Sequence, residues 1–115
     1  MQIGNNHEQK QEKADIAKRL LFSMDEVLEV KGVSVDESIY LAPRVKQLSR
    51  FRLEEIRRQA HKRIKERYPK ASIHVSTDKK IYIELEKLEE RLQEQSISKK
   101  QLDEKIKQLE TWMKG

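Results

Sequence analysis

The chain has 115 residues, of which 36% are apolar, 39% charged and 5% aromatic, with no cysteine and a net charge of +5. That length holds about one domain with one small core. The scarcity of aromatics leaves the core to Leu, Ile and Val and offers no aromatic cradle for a cofactor, so none is expected. The absence of Cys excludes disulfides, thiolate metal sites, Cys nucleophiles and a lipidated Cys within this numbering. No run approaches the roughly 18 apolar residues that span a bilayer, and the start Met1-Gln2-Ile3-Gly4-Asn5-Asn6 does not read as a signal peptide.

Charge is unevenly spread. Residues 1–43 hold five basic and eight acidic residues, 44–80 thirteen and four, and 81–115 seven and eight, giving −3, +9 and −1. The excess positive charge of the middle third either binds a polyanion there or pairs with acidic helices of this chain or of a partner.

In chain order, residues 1–11 are polar and without periodicity, which predicts a flexible arm. From Glu12, the residues Ala14, Ala17, Leu20, Leu21, Met24 and Val27 or Leu28 recur at three- and four-residue steps and predict a first helix ending near Asp25. Val33 and Val35, then Asp36-Glu37-Ser38, then Ile39-Tyr40-Leu41 closed by Pro43, read as a hairpin with Gly32 at a bend or bulge. Helical spacing returns at Lys46 through Leu48, Phe51 or Arg52, Ile56, Ala60 and Ile64, and Pro69 ends it. Ser72-Ile73-His74-Val75-Ser76 alternates as a short strand. Ile81, Leu85, Leu88 and Leu92 then mark a helix with Asp78 as its N-cap.

The last segment carries two conflicting signals. A heptad register runs unbroken from Leu85 to Met113, and one helix of about 35 residues would be roughly 50 Å long. Against it, Ser98-Lys99-Lys100-Gln101 matches a capping box, with Ile97 and Leu102 as its hydrophobic staple. The preferred reading is a break at 96–98 and a helical hairpin. The fold expected is therefore α+β in the order α-β-β-α-β-α, a three-stranded sheet with the first two long helices packed on one face, divided into a domain at 12–95 and a helical C-terminal extension at 96–115. This order is similar to BON-type and ring-building modules, which serve as assembly or envelope-binding units.

No catalytic set emerges. His7, His61 and His74 lack the spacing that places ligands on one helical face, so no metal site is predicted. There is no P-loop or GxSxG motif, and the pairs Glu54-Glu55, Glu89-Glu90 and Asp103-Glu104 diverge by about 100° on a helix. The strongest constellation is basic. Residues 44–70 carry eleven cations and three acids, and Arg50, Arg57, Arg58, Lys62, Arg63, Lys65 and Arg67 are the candidate surface for a polyanion or partner. Nucleic-acid binding through the basic helix 46–67 is the alternative function, weakened because the GxxG clamp of a KH domain and the exposed strand aromatics of an RRM are missing. The plainer reading is a solvated face that attracts Glu84, Glu86, Glu89, Glu90 and Glu94. A second candidate is the stripe Leu102, Ile106, Leu109, Trp112 and Met113, which either folds back on Leu85, Leu88 and Leu92 or serves as a helical interface for self-association or a partner.

The path from Ala14-Asp15-Ile16-Ala17 through Val33-Ser34-Val35 and Ile39-Tyr40-Leu41 to Tyr68-Pro69-Lys70-Ala71-Ser72-Ile73-His74-Val75-Ser76-Thr77-Asp78 resembles the YhcN/YlaJ-type sporulation lipoproteins, with Val75-Ser76-Thr77-Asp78 as the closing strand end before a helix. The resemblance covers about residues 14–92. It implies a mature domain attached outside a membrane of the spore or its envelope by an anchor beyond these residues. It also implies a role in sporulation or germination and protein partners in the spore envelope. It supplies no catalytic residues.

Overall fold

The computed structural model describes residues 10–114, without the side chains of Leu48 and Arg50. Most of the expected arm, residues 1–9, and His7 therefore lie outside the described residues. Helix α1 spans Glu12–Phe22, strand β1 Val27–Val35 and strand β2 Ser38–Val45. A 3-10 turn at Gln47–Arg52 leads into α2, Leu53–Arg67, followed by β3, Ser72–Val75, then α3, Lys79–Gln93, and α4, Lys99–Lys114. The sheet order is β1-β2-β3, with β1 antiparallel and β3 parallel to β2.

Helix α1 stops three residues before the expected Asp25, because the Ser23 hydroxyl donates to the Leu20 carbonyl at 2.6 Å and competes with helix continuation. Apolar spacing persists beyond it through successive turns: the Met24 amide reaches the Leu21 carbonyl and the Val27 amide the Met24 carbonyl. Met24 and Val27 thus enter the α1 core without being helical. The hairpin is also longer than its apolar runs implied, pairing from Val35↔Ser38 back to Val27↔Val45 around Asp36 and Glu37. Asp36 takes φ 54°, a left-handed conformation that Asp tolerates better than most residues.

Pro43 does not close β2 but sits inside it, opposite Val30. The Leu41 carbonyl accepts from the Ser76 amide, so residues 39, 41 and 43 turn their backbone groups toward β3. That strand has ended by Val75, and Pro43 forfeits no ladder bond. The bulge lies between Val27 and Glu29 rather than at Gly32. Gly32 has a different role, for a Cβ there would lie 2.6 Å from Leu41 Cδ2 and 2.8 Å from the Tyr40 carbonyl oxygen.

Both faces of the sheet are covered. On one, Leu21, Ile56, Ala60 and Ile64 from α1 and α2 pack with Val30, Ile39, Leu41 and Ile73, so the first two helices share a side as expected. On the other, Ile81, Leu85 and Leu88 of α3 and Leu102, Ile106 and Leu109 of α4 pack with Val33, Val35, Tyr40 and Ala42. Residues 39–43 of β2 are accordingly buried throughout, the pattern of a strand enclosed on both faces.

The break between α3 and α4 is a reciprocal capping box. The Gln101 amide donates to Ser98 Oγ at 3.1 Å and the Ser98 amide to Gln101 Oε1 at 3.0 Å. The two helices run antiparallel, since Lys80 at the start of α3 stands 3.9 Å over the ring of Trp112 at the end of α4.

Candidate interaction surfaces

Buried polar groups are the natural place to look for chemistry. The Tyr40 hydroxyl donates to Glu110 Oε2 at 2.5 Å, and its ring stacks on His74 with centroids 4.5 Å apart. Burial, reinforced by the neighbouring Glu110 carboxylate, pushes the Tyr40 phenol well above its usual range, and burial pulls the His74 imidazole below its own. Tyr40 is thereby held as a neutral donor and His74 as a stacking ring, tying β2, β3 and α4 together. Among the described residues no group of three His, Asp or Glu side chains could hold a metal ion.

The open edge of β1 is covered by side chains at Gly32 and Ser34. The Gln11 amide group donates from Nε2 to the Ser34 carbonyl and accepts the Ser34 amide at Oε1, both at 2.9 Å, imitating a neighbouring strand. One position along, the Gly32 amide donates to Glu89 Oε2 at 2.7 Å, and the same oxygen lies 2.9 Å from Lys18 Nζ. These contacts cover the Ser34 end of the edge, where an added strand would otherwise pair. The sequence pattern gave Gln11 no role and assigned Glu89 to a solvated face or to the basic helix, since each meets β1 only once the tertiary fold is formed.

Among the described residues, none of the five acids expected to neutralise the basic helix pairs with it, and three of them are paired elsewhere while Glu90 and Glu94 make no ion pair. Glu84 pairs with Lys87 and Lys105, Glu86 with Lys31 and Glu89 with Lys18. Helix α3 lies across the sheet from α2, so its carboxylates cannot reach that surface. Among the described residues, Arg57, Arg58, Lys62, Arg63, Lys65 and Arg67 take part in no ion pair, and Arg58 and Lys62 have no hydrogen-bonding partner.

The predicted cations do not form a single patch. Arg57 leans to one flank, donating to Thr77 Oγ1 at 2.9 Å, and Arg63 to the other, donating to Ser23 Oγ at 3.2 Å. Lys65 donates to the Ala71 carbonyl at 2.6 Å, and the Arg67 guanidinium stands 4.9 Å over the Tyr68 ring. Arg58 and Lys62, one helical turn apart, are exposed on the outward face. The side chain of Arg50 lies outside the described residues. The second predicted stripe is turned inward: Leu102, Ile106 and Leu109 are buried, and Trp112 and Met113 pack partly buried against them.

A groove of about 590 Å³ opens where β2 leaves the sheet, lined by Leu28, Pro43, Arg44, Val45, Gln47, Leu53, Thr77, Lys79 and Tyr82. Hydrogen bonds from Tyr82, Arg44 and Lys31 hold the Glu29 carboxyl beside it below the usual carboxylate range. The groove holds no nucleophile with an adjacent base.

The sporulation lipoprotein YhcN/YlaJ family model matches residues 1–110, taking in every strand and helix through most of α4. The chain is a member of that family. The match extends beyond the 14–92 stretch on which the resemblance rested, so the helical hairpin lies within the YhcN/YlaJ pattern. No curated protein and no solved structure matches the chain. Among the described residues, no helix of this YhcN/YlaJ member is long and apolar enough to cross a membrane.

Proposed function

We propose that this sporulation lipoprotein domain is a non-enzymatic interaction module of the spore envelope, docking on an acidic partner through the outward face of α2. One observation carries the reading: Arg58 and Lys62 project from a helix whose cations have no ion-pair partners, while Glu84, Glu86 and Glu89 of α3 are paired on the opposite side of the sheet. Unpaired cations on a rigid helix steer and orient an anionic surface at little cost in reorganisation. The partner expected is a protein of the spore envelope or germination apparatus presenting carboxylates.

The test is capture of spore-envelope proteins by the wild-type domain and by an Arg58→Glu/Lys62→Glu variant. Loss of a specific acidic partner in the variant, with thermal stability unchanged, supports the reading. Cleavage of peptidoglycan that disappears on replacing one carboxylate would establish an enzyme instead. Binding of DNA or RNA at near-physiological salt, abolished by the same reversal, would make nucleic acid the partner.

A further inference from the structure

Strand β2 outruns β3. The Leu41 carbonyl accepts from Ser76 on the β3 side, and the Lys46 amide donates to the Glu26 carbonyl on the β1 side. Backbone groups alternate along a strand, so Pro43 and Val45 turn theirs away from β1. Strand β3 pairs only from Ser38↔Ser72 to Leu41↔Val75. The Pro43 carbonyl and the Val45 amide and carbonyl therefore face the line that a longer β3 would occupy, with no strand there to pair with.

That line is the groove of about 590 Å³, lined by Pro43 and Val45, by Leu53 at the start of α2, and by Lys79 and Tyr82 of α3. Helices α2 and α3 pack on opposite faces of the sheet, so the groove opens at the sheet edge between the two layers. Its Tyr82 wall is fixed, with Tyr82 and Arg44 both hydrogen-bonded to Glu29 and the Arg44 guanidinium 6.0 Å from the Tyr82 ring centroid.

One end of the line is already filled by β3, and there the lining turns polar. Thr77 Oγ1 accepts from Arg57 Nη1 at 2.9 Å, and the hydroxyl proton of Thr77 has no acceptor among the described residues. Lys79 makes no ion pair or hydrogen bond among them. The lining contains Arg44 and Lys79 and no acid. The neighbouring carboxylates are committed: Glu29 to Arg44 and Lys31, Glu26 and Glu55 to Arg52, and Asp78 to the Lys80 amide. Glu54, without an ion pair, follows Leu53 on α2 but does not line the groove.

An unpaired stretch of strand edge takes up an extended peptide through its backbone, and a cation beside a hydroxyl donor receives a carboxylate. A peptide laid along β2 in line with β3 has to end where β3 begins to fill that line. With Lys79 and the Thr77 proton at that end, the terminus they suit is a carboxylate rather than an amine, which sets the peptide antiparallel to β2. We propose that the groove binds the extended C-terminal segment of a partner protein as a strand added to Pro43–Val45, its terminal carboxylate held by Lys79 and the Thr77 hydroxyl. This site is separate from the outward face of α2 and stands without it.

The probe is a pool of N-acetylated hexapeptides with Val, Ile or Leu at alternate positions, Ser or Thr between them, and a free C-terminal carboxylate. It is titrated to millimolar concentration into the full chain while amide chemical shifts are followed by NMR. The Val45 amide is expected to move downfield and the amides of Lys79 and Tyr82 to shift with it, all saturating together. The pool with amidated C-termini should bind about tenfold more weakly, and Lys79→Glu should weaken the free-acid pool by a similar factor. Thr77→Val should weaken it by about threefold to tenfold. Methylating one alternate set of peptide nitrogens should abolish binding and methylating the other set should spare it, because only one edge of an added strand meets β2. The peptide arms leave the protein unaltered, so they decide the question even where a variant is unstable. An unmoved Val45 amide, equal binding of the acid and amide pools, or equal effects of the two methylation patterns overturns the proposal. Val45 shifts that follow protein concentration without peptide, with a dimer in sedimentation, would assign the groove to a second copy instead. Arg58→Glu/Lys62→Glu should bind the pool as the wild type does, so failure of partner capture on α2 and failure of peptide binding are read separately.

Discussion

On one face of the sheet, α1 and α2 bury Leu21, Ile56, Ala60 and Ile64; on the other, α3 and α4 bury Leu85, Leu88, Leu102 and Leu109. The two layers use the same aliphatic packing, yet their charges are handled differently. Around α3 and α4, Glu84, Glu86, Asp103 and Lys99 find partners within the same layer or on the sheet. On α2 the cations make no ion pair among the described residues, although Glu54 and Glu66 lie one turn from Arg58 and Lys62. Packing closes both faces, but ion pairs between elements are made from α3 and α4 and none is made by a cation of α2, which leaves those cations to offer a partner.

The sharpest way to break this symmetry of packing is to remove one helix. Truncation after Gln95 takes Leu102, Ile106 and Leu109 out of the core and uncovers Tyr40, Leu85 and Leu88. Each buried aliphatic lost is worth about 2–5 kcal/mol, more in sum than a small domain's typical margin of about 5–15 kcal/mol leaves comfortable. Thermal denaturation is expected to show loss of the cooperative transition and aggregation. A melting temperature unchanged by the truncation would show that α4 is an appendage and its stripe an interface.

A smaller effect tests the sheet between the layers. Gly32→Ala places a methyl against Leu41 and the Tyr40 carbonyl, and this overpacking should cost about 1–3 kcal/mol in urea unfolding. Glu89→Gln, which keeps an acceptor for the Gly32 amide but loses the charge that pairs with Lys18, should cost less.

The third effect is pH-dependent. His74 is half-buried against Tyr40, and burial, with a smaller push from His61 on α2, lowers its pKa below 6.5 against the opposing pull of Glu110 on α4. Below pH 6.5 the unfolded chain therefore binds the proton more readily than the native one. His74 thus subtracts stability as pH falls through 6.5 toward its native value, and subtracts nothing above that window. Replacing it by Phe keeps a ring on Tyr40 and should make the loss of stability between about pH 7.5 and 5 shallower in thermal melts.

The smallest expected effect sharpens the electrostatic contrast. Arg58→Glu/Lys62→Glu should change stability by no more than about 0.5 kcal/mol, because both side chains are exposed and unpaired. Lys105→Glu on the α4 side removes a partner of Glu84 and should cost more than that in the same unfolding measurement.

Much of the architecture was legible in local patterns. Asp78 caps α3 by accepting the Lys80 amide at 2.7 Å, Ser98 and Gln101 cap each other, and Tyr68-Pro69 ends α2, all because these are interactions between residues a few positions apart. The errors arose where a local pattern has two physical solutions. Met24 and Val27 step like a helix but reach the core through turns. Pro43 reads as a strand end but lies in β2 because the backbone group it lacks faces past the end of β3. Phe51 fits the helical spacing of α2, but the 3-10 turn rotates it out to 97% exposure.

The sequence by itself determined the α+β class, the order of elements, the cap that breaks the last segment and the family, since each rests on residue type and short-range spacing. Only the tertiary structure decided which charges meet. Glu86 and Glu89 are as close in sequence to α2 as to many other cations, yet the sheet stands between them and Arg58. Ion pairs form within about 4 Å, and whether two helices lie on the same or opposite faces of a sheet is set by how the whole chain buries its apolar surface. The free cations of α2 exist as a surface only after that burial has been settled.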